Sequence, residues 1–283
     1  MNNLKYFFQS LIIIFLFMIC KLLGLKFSSI LSGIIFSFLG PVFRSNSISK
    51  SNLTKAFPEL NDFEKKRIIK EMWINYGRIF AEYVFLKNFR NSKKIIIENQ
   101  NELDEIKKSS NPVIFVSGHF NNFEFMAMHI EKSGIDVAAI YRPLNNIFLN
   151  PLMEYLRKNY ICRKQIKKGI SGTKEVLKYF KNGTSVALMI DQRVSEGIRC
   201  DFFGQKAFTT TIPAQFVKKF NAKIVPIYIE RLDEGKFKLK IHKHLQFSSN
   251  ESIENITLEL NKILEKMIIK NPTQWIWTHN RWK

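Results

Sequence analysis

The segment Ser117-Gly118-His119-Phe120-Asn121-Asn122-Phe123-Glu124 sets an imidazole and a carboxylate five positions apart, directly after the apolar run Val113-Ile114-Phe115-Val116. Imidazole accepts a proton near neutral pH, and a neighbouring carboxylate fixes its tautomer and stabilises the imidazolium. Such a pair activates an alcohol as a nucleophile. A spacing of five does not put two side chains on one helix face, so the reading requires a turn that folds Glu124 back towards His119. The apolar run reads as a core strand, Gly118 permits the turn, and Asn121 or Asn122 caps a helix starting near Phe123. His119 then stands in the mouth of a strand-to-helix turn, where substrates dock in α/β folds. A single histidine after a strand is more often structural, so the case rests on the rest of the chain.

Three further spots fall at strand ends: Tyr141-Arg142-Pro143, Asp191-Gln192-Arg193, and the loop from Phe202-Phe203-Gly204 to Thr211. Singly, Arg142 reads as a surface charge, Asp191 as a turn residue and Thr209 to Thr211 as helix caps, although helix N-termini also bind anions. No Gly-x-Ser-x-Gly elbow, Walker loop, GxGxxG or HExxH occurs. The five histidines, at 119, 129, 242, 244 and 279, are too scattered for a metal site. His242 and His244 alternate on a basic strand and read as exposed surface.

These residues need a scaffold of alternating strands and helices. Strands are expected at 113–117, 136–141, 185–190, 222–231 and 236–242. Helices are expected at 123–132, 150–158, 173–181, after the Thr209–Thr211 cap with Pro213 in the first turn, and at 252–269. The spacing predicts an α/β fold: a mixed, mostly parallel sheet flanked by helices. Upstream, Ser45 to Ser51 is a polar break, a short helix over 51–57 ends at Pro58, and Asn61 or Asp62 caps a long helix. Its apolar side is Phe63, Ile68, Ile69, Met72, Trp73, Tyr76, Ile79, Phe80 and Tyr83.

Two bulk features narrow the setting. The 44 Lys+Arg against 24 Asp+Glu give a net charge of +20, which favours nucleic acid, an anionic membrane, phosphorylated lipid or an acidic carrier protein. The uncharged run Tyr6 to Cys20, followed by Lys21, Lys26 and a second apolar run at 30–43, reads as an uncleaved anchor, one span or a span plus an interfacial helix. No small-x-small cleavage site follows Ile19, and the lysines place the main body on the cytoplasmic side. The expected division is 1–44 for the anchor and 45–283 for the remaining domain. Cys20, Cys162 and Cys200 form no CxxC pair, which fits a reducing compartment.

In this order the segments resemble the bacterial lipid A biosynthesis acyltransferase family, the lauroyl/myristoyl transferases, whose fold is glycerolipid-acyltransferase-like. The resemblance rests on His119-x4-Glu124, Tyr141-Arg142-Pro143-Leu144-Asn145-Asn146, Asp191-Gln192-Arg193 with Gly197-Ile198, and Phe202-Phe203-Gly204. It continues through Ala207-x-Thr209-x-x-x-Pro213-Ala214 to the ending Trp275-Ile276-Trp277-Thr278-His279-Asn280-Arg281-Trp282. It departs from the family at Asn121, where many relatives have glycine, and at Arg193, Thr278 and Asn280.

The resemblance implies an inner-membrane enzyme of Gram-negative bacteria with its catalytic domain on the cytoplasmic side. It implies acyl transfer from acyl carrier protein, the co-substrate, to a hydroxyl of a phosphorylated glycolipid of the Kdo-lipid IVA type, without metal or cofactor. His119 would be the base and Glu124 its orienting partner. Arg142, Arg157, Asp191 and Asn122 would bind substrate or stabilise the oxyanion. The nearest rival is a membrane acyltransferase for glycerol phosphate, an aminolipid or a phosphatidylinositol mannoside. A membrane-tethered nucleic-acid-binding protein, suggested by charge alone, would need no His119.

Overall fold

The computed structural model describes residues 2–109 and 111–283. Its long apolar N-terminal helix α1 (Asn2–Phe43) is followed by α2 (Asn46–Ala56), α3 (Asp62–Glu82) and α4 (Leu86–Asn91). The α/β body continues β1 (Ile95–Glu98), α5 (Gln100–Ser109), β2 (Ile114–Ser117), α6 (Phe125–Lys132), β3 (Val137–Tyr141), α7 (Asn150–Tyr160) and β4 (Lys164–Lys167). It is completed by α8 (Ile170–Lys181), β5 (Ser185–Met189), β6 (Ile198–Phe202), β7 (Gln205–Thr209), α9 (Ile212–Phe220), β8 (Ile224–Arg231), β9 (Phe237–Ile241) and α10 (Ile253–Lys270).

Seven strands form one sheet in the order β1-β9-β8-β2-β5-β3-β4, parallel throughout except for the β8–β9 pair. The expected mixed, mostly parallel sheet flanked by helices is therefore present. The central strand β2 is buried at every position, as a strand covered on both faces must be. Its register with β5 pairs Ser117 with Met189, and the Ile190 N–H donates to the Ser117 carbonyl at 2.9 Å. Two residues further along each chain, that register brings His119 level with Asp191.

Several elements depart from the sequence reading. Strands β1 and β4, helix α5 and the β6–β7 hairpin were not expected. The polar break is helical from Asn46 onward, with Ser45 capping α2. Asn61 caps α3 through a reciprocal box with Glu64, but Phe63 lies 77% exposed, outside the core. Helix α6 begins at Phe125 without a side-chain cap, because Asn121 and Asn122 are spent elsewhere. Thr211 stands at the N-cap of α9 without a side-chain capping bond, its hydroxyl accepting from Gln215 Nε2 instead, and Pro213 sits in the first turn. His242 and His244, just past β9, are half-buried rather than exposed.

Helix α1 is long and apolar enough to cross a membrane. Gly24 breaks it at φ 74°, ψ 165°, a conformation only glycine adopts freely. The chain doubles back there. Cys20 Sγ lies 4.0 Å from Ser32 Oγ, whereas twelve residues of straight helix would part them by ~18 Å. Phe17 and Phe36, one on each leg, both pack on Phe80 of α3, with ring centroids 5.0 and 5.5 Å away. Gly77 of α3 lets the second leg approach closely: a Cβ there would lie 2.1 Å from the Ser32 carbonyl oxygen. At its start, α1 reaches the loop after β3, where Asn146 Nδ2 donates to the Tyr6 carbonyl at 2.9 Å. Most other apolar side chains of α1 remain exposed.

Candidate active site

The site lies at the C-terminal edge of the sheet, where substrates of parallel α/β folds dock. His119 follows β2 and Asp191 follows β5. His119 Nδ1 lies 2.7 Å from Asp191 Oδ1, and the His119 backbone N–H donates to Asp191 Oδ2 at 2.8 Å. Trp275 Nε1 donates to the same Oδ2 at 2.8 Å. Burial pushes the Asp191 carboxyl up, but the His119 charge and these donors outweigh it and hold the group down at about 2. Asp191 is therefore an ionised acceptor. A neutral His119 must carry its proton on Nδ1 and present the lone pair of Nε2.

Glu124 is not the partner of His119. Its Oε1 accepts from Tyr83 Oη at 2.5 Å and from Arg157 Nε at 2.8 Å. Because α6 starts at Phe125, Glu124 occupies the turn before the helix, and its hydrogen bonds run to Tyr83 and to Arg157 on α7. Burial and then the Glu124 charge push the Tyr83 phenol up. Burial opposes the Arg157 cation, but Glu124 and Tyr83 outweigh it and push that group up as well. Arg157 Nη1 is buried with no hydrogen-bond partner among the described residues.

Both groups nonetheless share one cleft of about 430 Å³. Met126, Ala127, Ala139, Ile140, Ala187 and Met189 form an apolar slot along the sheet and α6. Arg44, Arg142, Arg157 and Lys168 contribute positive charge. A slot of this kind takes a fatty chain, and the cations suit an anionic head.

Asn122 does not line this cleft. It is fully buried, and its Nδ2 donates to Glu82 Oε2 at 3.1 Å. Glu82 in turn pairs with Arg231, so Asn122 belongs to a buried structural network under the site. Four lining or supporting residues were given no site role by the sequence reading: Tyr83, Gln192, Trp275 and His279. Their only signals were position: Tyr83 at the end of the apolar side of the long helix, Gln192 next to Asp191, and Trp275 and His279 within the closing Trp-Ile-Trp-Thr-His run. Gln192 Nε2 is 3.4 Å from His119 Nε2. His279 Nε2 accepts the Arg193 backbone N–H at 3.0 Å, and burial holds its ring down at about 4.

A histidine held by a carboxylate beside an apolar slot with a basic lining can activate a hydroxyl next to a bound acyl chain. The chain belongs to the bacterial lipid A biosynthesis acyltransferase family, whose description matches residues 1–283. It is similar to a lipid A biosynthesis acyltransferase of Haemophilus influenzae, 25% identical over 269 residues, covering 89% of this chain and 81% of the relative. It is also similar to two Escherichia coli K12 proteins, each 24% identical and covering 85% of this chain and 79% of the relative. One is a lipid A biosynthesis palmitoleoyltransferase, matched over 249 residues, and the other a lauroyltransferase, matched over 255. The relatives thus differ in acyl chain, and the match extends beyond the lauroyl/myristoyl type. The protein is an acyltransferase of a membrane-associated family, with an N-terminal helix suited to that setting.

Proposed function

We propose that the protein transfers an acyl chain from an acyl carrier protein thioester to a hydroxyl of a phosphorylated lipid A precursor of the Kdo-lipid IVA type. The observation that carries this reading is the acceptor Nε2 of His119, set by Asp191 at Nδ1, met only weakly by the Gln192 amide at 3.4 Å and opening on an apolar slot. His119 Nε2 takes the hydroxyl proton as the oxygen attacks the thioester carbonyl. A tetrahedral oxyanion forms, the C–S bond breaks, and the imidazolium returns its proton to the departing thiolate. Asp191 stabilises the imidazolium, a task the sequence had given to Glu124. Glu124 instead fixes Arg157 at the cleft wall, where Arg157 and Arg142 supply charge for the anionic substrates. The net charge of +20 and the basic lining support encounter with an acidic carrier protein and an anionic leaflet, an effect that salt weakens.

The test is acyl transfer in detergent micelles from dodecanoyl-, tetradecanoyl- and hexadecenoyl-acyl carrier protein to Kdo-lipid IVA. A mass gain of one acyl group that disappears in His119→Ala is expected. Transfer to glycerol phosphate or an aminolipid, with Kdo-lipid IVA untouched, would reassign the acceptor. Full turnover by His119→Ala would remove the base assignment.

A further inference from the structure

We infer that the Gln192 side-chain amide is the oxyanion donor of this site, held beside the base by a backbone clamp that His279 closes. The inference rests on the acyl-transfer reading above.

The tautomer of His119 sets the argument. With Nδ1–H committed to the Asp191 carboxylate, Nε2 is an acceptor, so the Gln192 group 3.4 Å from it must be the NH2 end of the amide. That distance marks a weak bond which a substrate hydroxyl can replace. When the hydroxyl docks on Nε2, the amide hydrogens are released next to the carbonyl the hydroxyl attacks. A neutral donor there meets the charge as it develops in the transition state.

The backbone under Gln192 is fixed on both sides. Asp191 accepts three hydrogen bonds, from the His119 ring, the His119 backbone and Trp275. The Arg193 N–H is accepted by His279 Nε2, and Arg193 Nε donates to the Lys283 carbonyl at 3.1 Å. Gln192 between them is half-buried and lines the cleft, and its side-chain amide meets only His119 Nε2 among the described residues. A backbone fixed on both sides carries the amide to one place beside the base, as a preorganised donor requires. The other amide expected near the site, Asn122, is fully buried and tied to Glu82. His279 acts through Gln192 and is a positioning residue.

The experiment compares steady-state transfer by the full-length wild type, Gln192→Ala, Gln192→Glu, His279→Gln and His119→Ala in the same micellar assay. Gln192→Ala should lose ~10²–10³-fold in kcat, with KM for both substrates nearly unchanged and the thermal midpoint retained. Gln192→Glu should lose as much and also shift the acid limb of kcat/KM to higher pH, because a carboxylate beside Nε2 favours the imidazolium. His279→Gln should lower kcat by a smaller factor without that shift. A kcat for Gln192→Ala equal to or above wild type, or a loss confined to KM, would overturn the inference while the His119→Ala control upheld the reaction. A wild type inactive towards every acyl acceptor would overturn the reaction and this inference together.

Discussion

Asp191 grips His119 twice, at the ring through Nδ1 and at the backbone through N–H, so one carboxylate fixes both the tautomer of the base and the position of the chain that carries it. Asp191→Asn should keep the fold but favour the wrong tautomer. We expect a loss of ~10²–10⁴-fold in kcat, measured as acyl transfer at saturating donor. A variant within a few-fold of wild type would remove Asp191 from the catalytic account.

Glu124 has a different fate. Its partner Arg157 is about nine-tenths buried, so Glu124→Gln strands a buried cation. Breaking such a pair costs about 3–5 kcal/mol, and denaturant unfolding should show a loss of that order. The double variant Glu124→Gln/Arg157→Gln should recover much of the stability but little of the activity. A Glu124→Gln protein with wild-type stability and no activity would instead give Glu124 a direct role in the chemistry.

Acid should destabilise the protein in two separate steps. Burial, and then the charges of Lys132 and Arg90, hold His129 down at about 4 from an ordinary value of 6.5. Between those values the unfolded chain takes up a proton that the folded chain refuses, so stability falls as pH falls through this window. His279, also held down at about 4 by burial, adds to the same slope. The Asp191 contribution runs lower: it is whole above the ordinary carboxylate value of 3.8 and is lost as pH falls through about 2. Thermal midpoints followed from about pH 8 to about pH 4 should decline on the acid side, and His129→Leu should flatten that decline. An unchanged slope in the variant would exclude His129 as a source.

The contact of Gly77 with Ser32 makes a further forecast. Gly77→Leu inserts a side chain where even a Cβ would collide with backbone, and overpacking of this kind costs about 1–3 kcal/mol. The hairpin of α1 should lift from α3 while keeping its apolar surface. We expect the variant to remain in the membrane fraction on sedimentation but with a lowered thermal midpoint and reduced transfer. A variant released into the soluble fraction would contradict this.

The strand before His119 was legible because Val113 to Val116 is apolar without interruption and Gly118 stops it. The partner of His119 was not. Parallel strands β2 and β5 are joined by no local turn, and the sequence separation of 72 from His119 to Asp191 carries no mark of their register. The five-residue spacing to Glu124 was local and visible, but Glu124 sits in the turn before α6, and its carboxylate reaches Tyr83 and Arg157 instead of the ring. Edge strands β1 and β4 have four residues each and bury little, so periodicity had nothing to register. The β6–β7 hairpin turns on Phe203-Gly204, both at positive φ. That geometry is normally announced by Asn-Gly, and a phenylalanine hides it. Gly24 passed unnoticed because one glycine in an apolar run reads as a tolerated blemish costing about 1 kcal/mol rather than as a reversal.

Helix α3 serves two masters. One side receives both legs of the α1 hairpin through Phe80, and its C-terminal end delivers Glu82 to Arg231 and Tyr83 to the Glu124–Arg157 pair. It works as a shared beam between the exposed apolar hairpin and the wall of the candidate cleft, and Arg44, just past the hairpin, lines that cleft. Trimming residues 1–43 to obtain a tractable soluble enzyme would therefore do more than delete an address label. It would uncover the flank of the beam and slacken the wall it braces.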